Sequence, residues 1–235
     1  MTDIILLSSK TDPVVYYIIV PVFLIILFFW YYFSKKAVVL RNLERAQSKK
    51  IISFSDGEKG KVSGKIVFAG ETLTAPLSGR KCSYYHILVE QYRSGGKSGS
   101  WHKIIEEEKK GDVVIEDETG FAIVDTRFTM SYLVPDANYK SGSFSDPTPV
   151  MESVLRHYNI DPEGLLGFNK TLRYTEGILE KDELCVVSGT GQWNLAKDHN
   201  IKIPTEHVLV ITTEDSEREK IYISDDPQAM GIEES

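Results

Sequence analysis

Cysteine is nearly absent: Cys82 and Cys185 are the only two in 235 residues. That excludes a disulfide framework and any zinc module built from paired Cys and His ligands. The five histidines, His86, His102, His157, His199 and His207, show no ligand spacing, and no Gly-x-Ser-x-Gly, His-Glu-x-x-His or Cys-x-x-Cys occurs. Gly96-Lys97-Ser98 imitates the end of a phosphate-binding loop, but Gln91 stands where its first glycine is needed. Gly189-Thr190-Gly191 lacks the third glycine of a dinucleotide fingerprint. The pattern therefore predicts no catalytic, cofactor-binding or metal-binding residue.

Positive charge is also scarce beyond the first fifty residues. The chain holds 27 basic and 34 acidic side chains; residues 1–52 hold 7 and 3 of them, leaving 20 − 31 = −11 for the rest. Such a surface repels phosphate backbones, which argues against nucleic acid as a partner.

What the sequence does contain is a run of twenty uncharged residues, Val14–Phe33, ending against Lys35 and Lys36. As a helix it would span about 30 Å, the thickness of a hydrocarbon core, with Tyr16, Tyr17, Trp30, Tyr31 and Tyr32 near its ends. A signal peptide fits poorly, because a bulky Phe-Phe-Trp-Tyr-Tyr-Phe run replaces the small residues of a cleavage site. A core helix would need apolar partners on every side. The reading is a transmembrane helix over 13–34 that makes the bilayer a partner, with Pro21 inside it. Residues 34–50 carry 6 − 1 = +5 and residues 1–12 carry 1 − 2 = −1. The positive-inside rule then predicts a short extracytoplasmic N-terminus (1–12), a basic juxtamembrane helix or linker (35–52) and a cytoplasmic remainder at the plasma membrane.

Beyond residue 52 the dominant period is two. Val62, Gly64, Ile66 and Phe68 alternate with Ser63, Lys65 and Val67; Cys82–Tyr92 and Trp101–Glu107 flank a Ser/Gly/Lys loop as a hairpin; Val113–Asp117 and Phe121–Asp125 flank Glu118-Thr119-Gly120 as a second. Thr148 and Pro149 open one helix with an apolar stripe of Val150, Met151, Val154, Leu155 and Tyr158, and Asn159 with Pro162 stops it. Strands resume at Leu172–Leu179, Leu184–Ser188, His207–Thr212 and Ile221–Ser224. The expected fold is mainly β: an open barrel or sandwich over 53–225 with one short helical insertion, then a frayed acidic tail over 226–235.

Few side chains invite a site. Cys82 and His86, four apart, share a face of the predicted strand but lie too far apart to share a metal without a bend. Tyr85 belongs to the opposite face. Tyr84, Tyr85, Tyr92 and Trp101 could form an aromatic platform, although aromatic cross-strand pairs are ordinary sheet stabilisers. Arg173 and Glu176 combine opposite charges within one strand and read as a partly buried structural pair or as a ligand contact.

The run Val62-Ser63-Gly64-Lys65-Ile66 and then Leu73–Tyr85, followed by Trp101, Phe121–Asp125, Arg173–Leu179, Val186–Gly189 and Ile221–Ser224, resembles the GIDE or "beside-a-membrane" domain of mitochondrial membrane-anchored RING ubiquitin ligases and their prokaryotic relatives. The resemblance spans about residues 58–225. A RING needs eight Cys/His ligands for two zinc ions, which two cysteines and five histidines cannot supply, so the ligase activity does not carry over. The RING-less, single-span form resembles prokaryotic members, which implies a membrane-associated sensing or interaction role in stress or defence.

Three function classes follow. The first is a non-catalytic binding or sensing module for a protein or small-molecule ligand, held at the membrane. The second is a ubiquitin-ligase pathway component using a RING supplied in trans. The third is an enzyme of unknown reaction whose polar groups, such as His86, Arg173 and Glu176, would have to converge.

Overall fold

The computed structural model describes residues 13–95, 98–142, 146–161, 170–215 and 217–231, with side chains from Tyr17 onward. The charges of residues 1–12, the ring of Tyr16, Gly96 and Lys97, Pro162 and the last four residues of the tail lie outside this set. The chain forms two compact units, Met1–Val38 and Val39–Ser235.

In the first unit, helix α1 (Pro13–Tyr32) is apolar on all sides, with Pro21 inside it. Its large apolar side chains from Tyr17 to Phe33 are 37–82 % exposed. Among the described residues no single helix is long and apolar enough to cross a membrane; only as a bent pair with α2 (Lys35–Arg45) does α1 reach that length and composition.

From Val39 onward α2 belongs to the second unit. Val39, Leu40 and Leu43, at i, i+1 and i+4, form its buried stripe and pack against Val186 and Ala229, with Met130, Tyr132 and Tyr222 alongside. The solvated helical extension expected over 35–52 is thus replaced by a docked helix. A 3-10 turn follows, whose Ile51, together with Phe54, enters the main core. The β unit therefore begins well before residue 53.

Among the described residues this unit holds thirteen strands: β1 (Glu58–Val67), β2 (Leu73–Thr74), β3 (Lys81–Cys82), β4 (Tyr84–Gly95), β5 (Ser98–Lys110), β6 (Val113–Asp117), β7 (Gly120–Val124), β8 (Thr129–Tyr132), β9 (Ala137–Ser141), β10 (Leu172–Leu179), β11 (Leu184–Leu195), β12 (His207–Thr212) and β13 (Ile221–Ser224). Helix α3 (Pro149–His157) precedes β10, and a short helix α4 (Pro227–Met230) follows β13. The predicted second hairpin, the start of α3 and the last two predicted strands agree with these elements; the first hairpin differs, since β4 begins at Tyr84 without Cys82 and its two strands run to Gly95 and from Ser98, into the expected loop.

The barrel is closed, not open. Its order runs β1, β6, β7, β12, β11 and back to β1. All neighbours are antiparallel except β7 and β12, which pair in parallel at Leu209↔Ala122 to Ile211↔Val124. Counted along the chain, the barrel strands are first, second, third, fifth and fourth around the ring, the Greek-key connectivity of an OB-type barrel. Inward positions alternate as strands require: Val62 and Ile66, Val113 and Ile115, Ala122 and Val124, Cys185 and Val187, and Leu209 and Ile211 fill the interior. Gly64 lies where β1 meets β6 so closely that a Cβ would stand 2.4 Å from the Glu116 carbonyl oxygen.

Two insertions into this ring build a second lobe. β4 and β5 come from the first, β9, α3 and β10 from the second, and the sheet order is β5, β4, β10, β9. The insertion is therefore more than the single helix read from the sequence. Tyr85, Ile87, Val89, Leu172, Tyr174 and Ile178 pack on Met151, Val154 and Leu155 of α3. The Thr148 hydroxyl accepts from the Met151 amide and caps that helix. The expected frayed tail is ordered as far as Gly231: Asp226 caps α4 by accepting from the Gln228 amide at 2.9 Å, and Ala229 is buried.

Because Leu43 is fully buried against the barrel, Leu43→Ala is expected to lower the unfolding free energy by about 2–4 kcal/mol. Denaturant titration of the chain from Lys35 onward would measure this. A loss below about 0.5 kcal/mol would mean that α2 does not dock.

Candidate functional site

Arg173 and Glu176 do not form a pair. Three positions apart on β10 they face opposite sides of the sheet, because side chains alternate with period two. Arg173 is paired with Glu90 across the strand and lies 4.5 Å above the ring of Trp101. Trp101 in turn meets Tyr92, its cross-strand partner, edge-on at 5.4 Å. These contacts make a sheet-surface cluster of ordinary cross-strand type. Glu176 points the other way and is fully buried. Its two oxygens accept from the backbone amides of Leu77 at 2.7 Å and Ser78 at 3.0 Å, fixing the Ala75–Arg80 loop onto the second lobe.

Cys82 and His86 are not on one strand. The ladder breaks at Ser83, so Cys82 belongs to β3 and His86 to β4. Burial, with the Glu176 carboxylate nearby, pushes the Cys82 thiol up to about 11, which leaves it un-ionised and unreactive at neutral pH. His86 faces Glu106 at 3.3 Å on the sheet surface, and Tyr85 donates from its hydroxyl to Glu107 at 3.0 Å. His86, Arg173 and Glu176 consequently share no pocket. No group of three or more His, Cys, Asp or Glu side chains among the described residues is arranged to hold a metal ion.

Where the two lobes of the β unit join, carboxylates gather around Arg80. Its guanidinium reaches Asp136 at 3.3 Å and Glu180 at 3.1 Å. Asp136 also accepts from the Ile178 amide, Glu183 from the Glu180 amide and Asp225 from the Val134 amide, each at 2.8 Å. Burial drives Glu183 and Asp225 up to about 7, and neighbouring carboxylates add to the effect.

A concave site lies elsewhere in the β unit, on the outer face of the barrel. β11 pairs with β13 through Ser188↔Tyr222 and with β12 from Thr190↔Thr212, so its edge changes partner at Gly189. There a Cβ would meet Ile211 at 2.7 Å and the Thr212 carbonyl at 2.9 Å. The Gly189-Thr190 pair thus serves strand packing inside β11. The seam, the chain joining β12 to β13, the start of β1 and the C-terminal end of α2 enclose about 470 Å³. Ser188 and Thr190 line it, 6 % and 1 % exposed. Thr213 also lines it, and its hydroxyl is buried without a hydrogen-bond partner. Arg45, Lys59, Arg218 and Lys220 stand around it with one carboxylate, Glu219, which is ion-paired to Lys59. None of these residues stands out in the sequence, since they come from separate elements. The only local hint was Gly189-Thr190-Gly191.

Two measurements check the assignments at the sheet and at the junction. Arg173→Met, at a side chain 39 % exposed, should change stability by no more than about 1 kcal/mol, and Glu176→Gln should cost roughly 1–3 kcal/mol. The double variant should be additive within about 0.5 kcal/mol; a large coupling energy would place the two side chains together after all. For Glu183 and Asp225 the folded-state values lie above the ordinary carboxylate range, so their ionisation penalises the fold. Stability should rise as pH falls from 8 through 7 and level off near the unfolded values around 4. Asp225→Asn together with Glu183→Gln should flatten that slope, and an unchanged slope in the double variant would rule out these two groups as its source.

No family model, curated protein or solved structure matches this chain.

Proposed function

We propose that the chain is a membrane-tethered, non-catalytic binding module, with α1 as the tether and the β unit as the ligand-recognising part. One observation carries the reading: the large apolar side chains of α1 are exposed along its whole described length, Trp30 by 82 % and Phe23 by 58 %. Exposed apolar surface of that extent marks a membrane or protein contact. The basic flank from Lys35 onward sets the orientation, N-terminus out and β unit in the cytoplasm. The GIDE-like resemblance favours the same arrangement, in its RING-less form. For the β unit, the fully buried carboxylate, the un-ionised thiol and the surface ion pairs have structural partners, which supports recognition over chemistry.

The full chain should co-float with phosphatidylcholine vesicles, whereas the chain from Lys35 onward should stay in the aqueous fraction. Protease added to intact cells expressing the full chain should leave the β unit whole. Recovery of the full chain in solution without detergent would remove the tether, and digestion of the β unit from outside would reverse the orientation.

A further inference from the structure

We infer that the recess at the β12/β13 seam of β11 is a binding site for a phosphorylated, polyhydroxylated small molecule of the inositol- or sugar-phosphate class, free or as a lipid headgroup. This deepens the reading of the β unit as a binding module, and it would stand even if α1 proved not to be a tether. Three observations converge on it. The first is charge: four cations against one carboxylate line the recess, a net of 4 − 1 = +3, in a chain whose net charge is −7. Arg45 in the last turn of α2 complements that helix's C-terminal dipole, and on the β12–β13 connection stand Lys220 and Arg218, the latter also facing Asp215 at 3.7 Å. Arginine forks suit phosphate oxygens.

The second observation is the orphan hydroxyl. A buried polar group without a partner is destabilising, and Thr213 leaves its hydroxyl in that state beside the recess. A ligand oxygen or hydroxyl would satisfy it, and the buried hydroxyls of Ser188 and Thr190 extend the same polar wall. The third is size. About 470 Å³ falls within the usual range of small-molecule sites and exceeds what a lone phosphate fills, so the ligand carries a further polar body. With alcohols on that wall, the body that fits is a polyol ring.

The pairing of Lys59 with Glu219 gives the site a directional test. Glu219 is the one carboxylate in the lining, and it occupies Lys59, so Glu219→Gln should tighten binding. An unfolding artefact cannot mimic a gain in affinity.

The experiment uses the full chain in phosphatidylcholine nanodiscs, titrated calorimetrically with soluble inositol 1,4,5-trisphosphate. In a second arm, nanodiscs carrying phosphatidylinositol 4,5-bisphosphate, or phosphatidylserine at matched charge, are compared by the thermal shift of the β unit. One saturable site per chain is expected in at least one arm. Binding of the soluble trisphosphate alone identifies a free ligand, and a shift with the phosphoinositide alone identifies a headgroup. Arg218→Gln with Lys220→Gln should weaken binding at least about tenfold, in line with the loss of charge-assisted hydrogen bonds. Thr213→Val, which keeps every charge, should weaken it about fivefold. Glu219→Gln should strengthen it about threefold, an ordinary effect of a nearby like charge. Arg93→Gln with Lys103→Gln, on the distant β4/β5 hairpin, should leave it unchanged. Absence of saturable binding in both arms, an equal loss in the hairpin variant, or full affinity in Thr213→Val would overturn the proposal. Should the Arg218/Lys220 variant melt early, Thr213→Val and Glu219→Gln decide.

Discussion

The architecture depends on the way β11 shares its two edges. One edge is given to β1 over eight consecutive positions, Glu58↔Gly191 to Lys65↔Leu184, and this pairing closes the barrel. The other edge is divided between β13 at Val186–Ser188 and β12 from Thr190 onward. A single strand edge cannot hold two strands at the same place, so β12 and β13 part at Gly189, and the chain between them arches away from the sheet. The recess is the geometric consequence of that division. α2 completes it, because the docking of Val39, Leu40 and Leu43 beside Val186 brings the C-terminal end of the helix to the same outer face.

The second lobe depends on buried carboxylates in a comparable way. Glu176, fully enclosed and satisfied by two amides, holds a loop that would otherwise have no strand partner. Around Arg80 the balance is less complete: one guanidinium reaches two carboxylates, while Glu183 and Asp225 lie nearby, their desolvation opposed by backbone amides and, for Glu183, by the Arg80 charge. The junction is consequently the part of the β unit most sensitive to proton concentration near neutrality.

How much of this could be read in advance depended on the range of the signal. Local signals held. Period-two alternation located β4 and β10, turn chemistry at Glu118-Thr119-Gly120 located the β6/β7 hairpin, and Thr148-Pro149 located α3. Signals that need two distant segments failed. The parallel pairing of β7 with β12, which turns a sheet into a closed ring, joins residues more than eighty positions apart and leaves no mark on either strand. α2 showed no packing face because its three buried residues, Val39, Leu40 and Leu43, form only a narrow stripe beside four basic ones. The Arg173/Glu176 pairing failed for a parity reason that the sequence did contain: on a strand, an odd spacing puts two side chains on opposite faces. The recess was invisible because its lining comes from α2, β1, β11, β12, β13 and two loops.

An OB-type ring does not by itself name a ligand, since one fold hosts many functions. Its usual recognition of oligonucleotides relies on basic and aromatic groups along the second and third strands. Here those strands are β6 and β7, and the charged residues of their hairpin are Glu116, Asp117 and Glu118, a field that repels a phosphodiester chain. Four basic side chains, Arg45, Lys59, Arg218 and Lys220, instead line the small recess on another part of the outer face. A compact anion can enter a concave cationic spot on an acidic protein, because field strength inside a recess is set by its nearest charges, whereas a long polyanion must also lie along the surrounding acidic surface. The distribution of charge over the barrel therefore selects by ligand size as well as by sign. A ligand held between Arg45 on α2 and Arg218 on the β12–β13 connection would add its binding free energy to the three apolar contacts that dock α2, making the seating of that helix depend on occupancy.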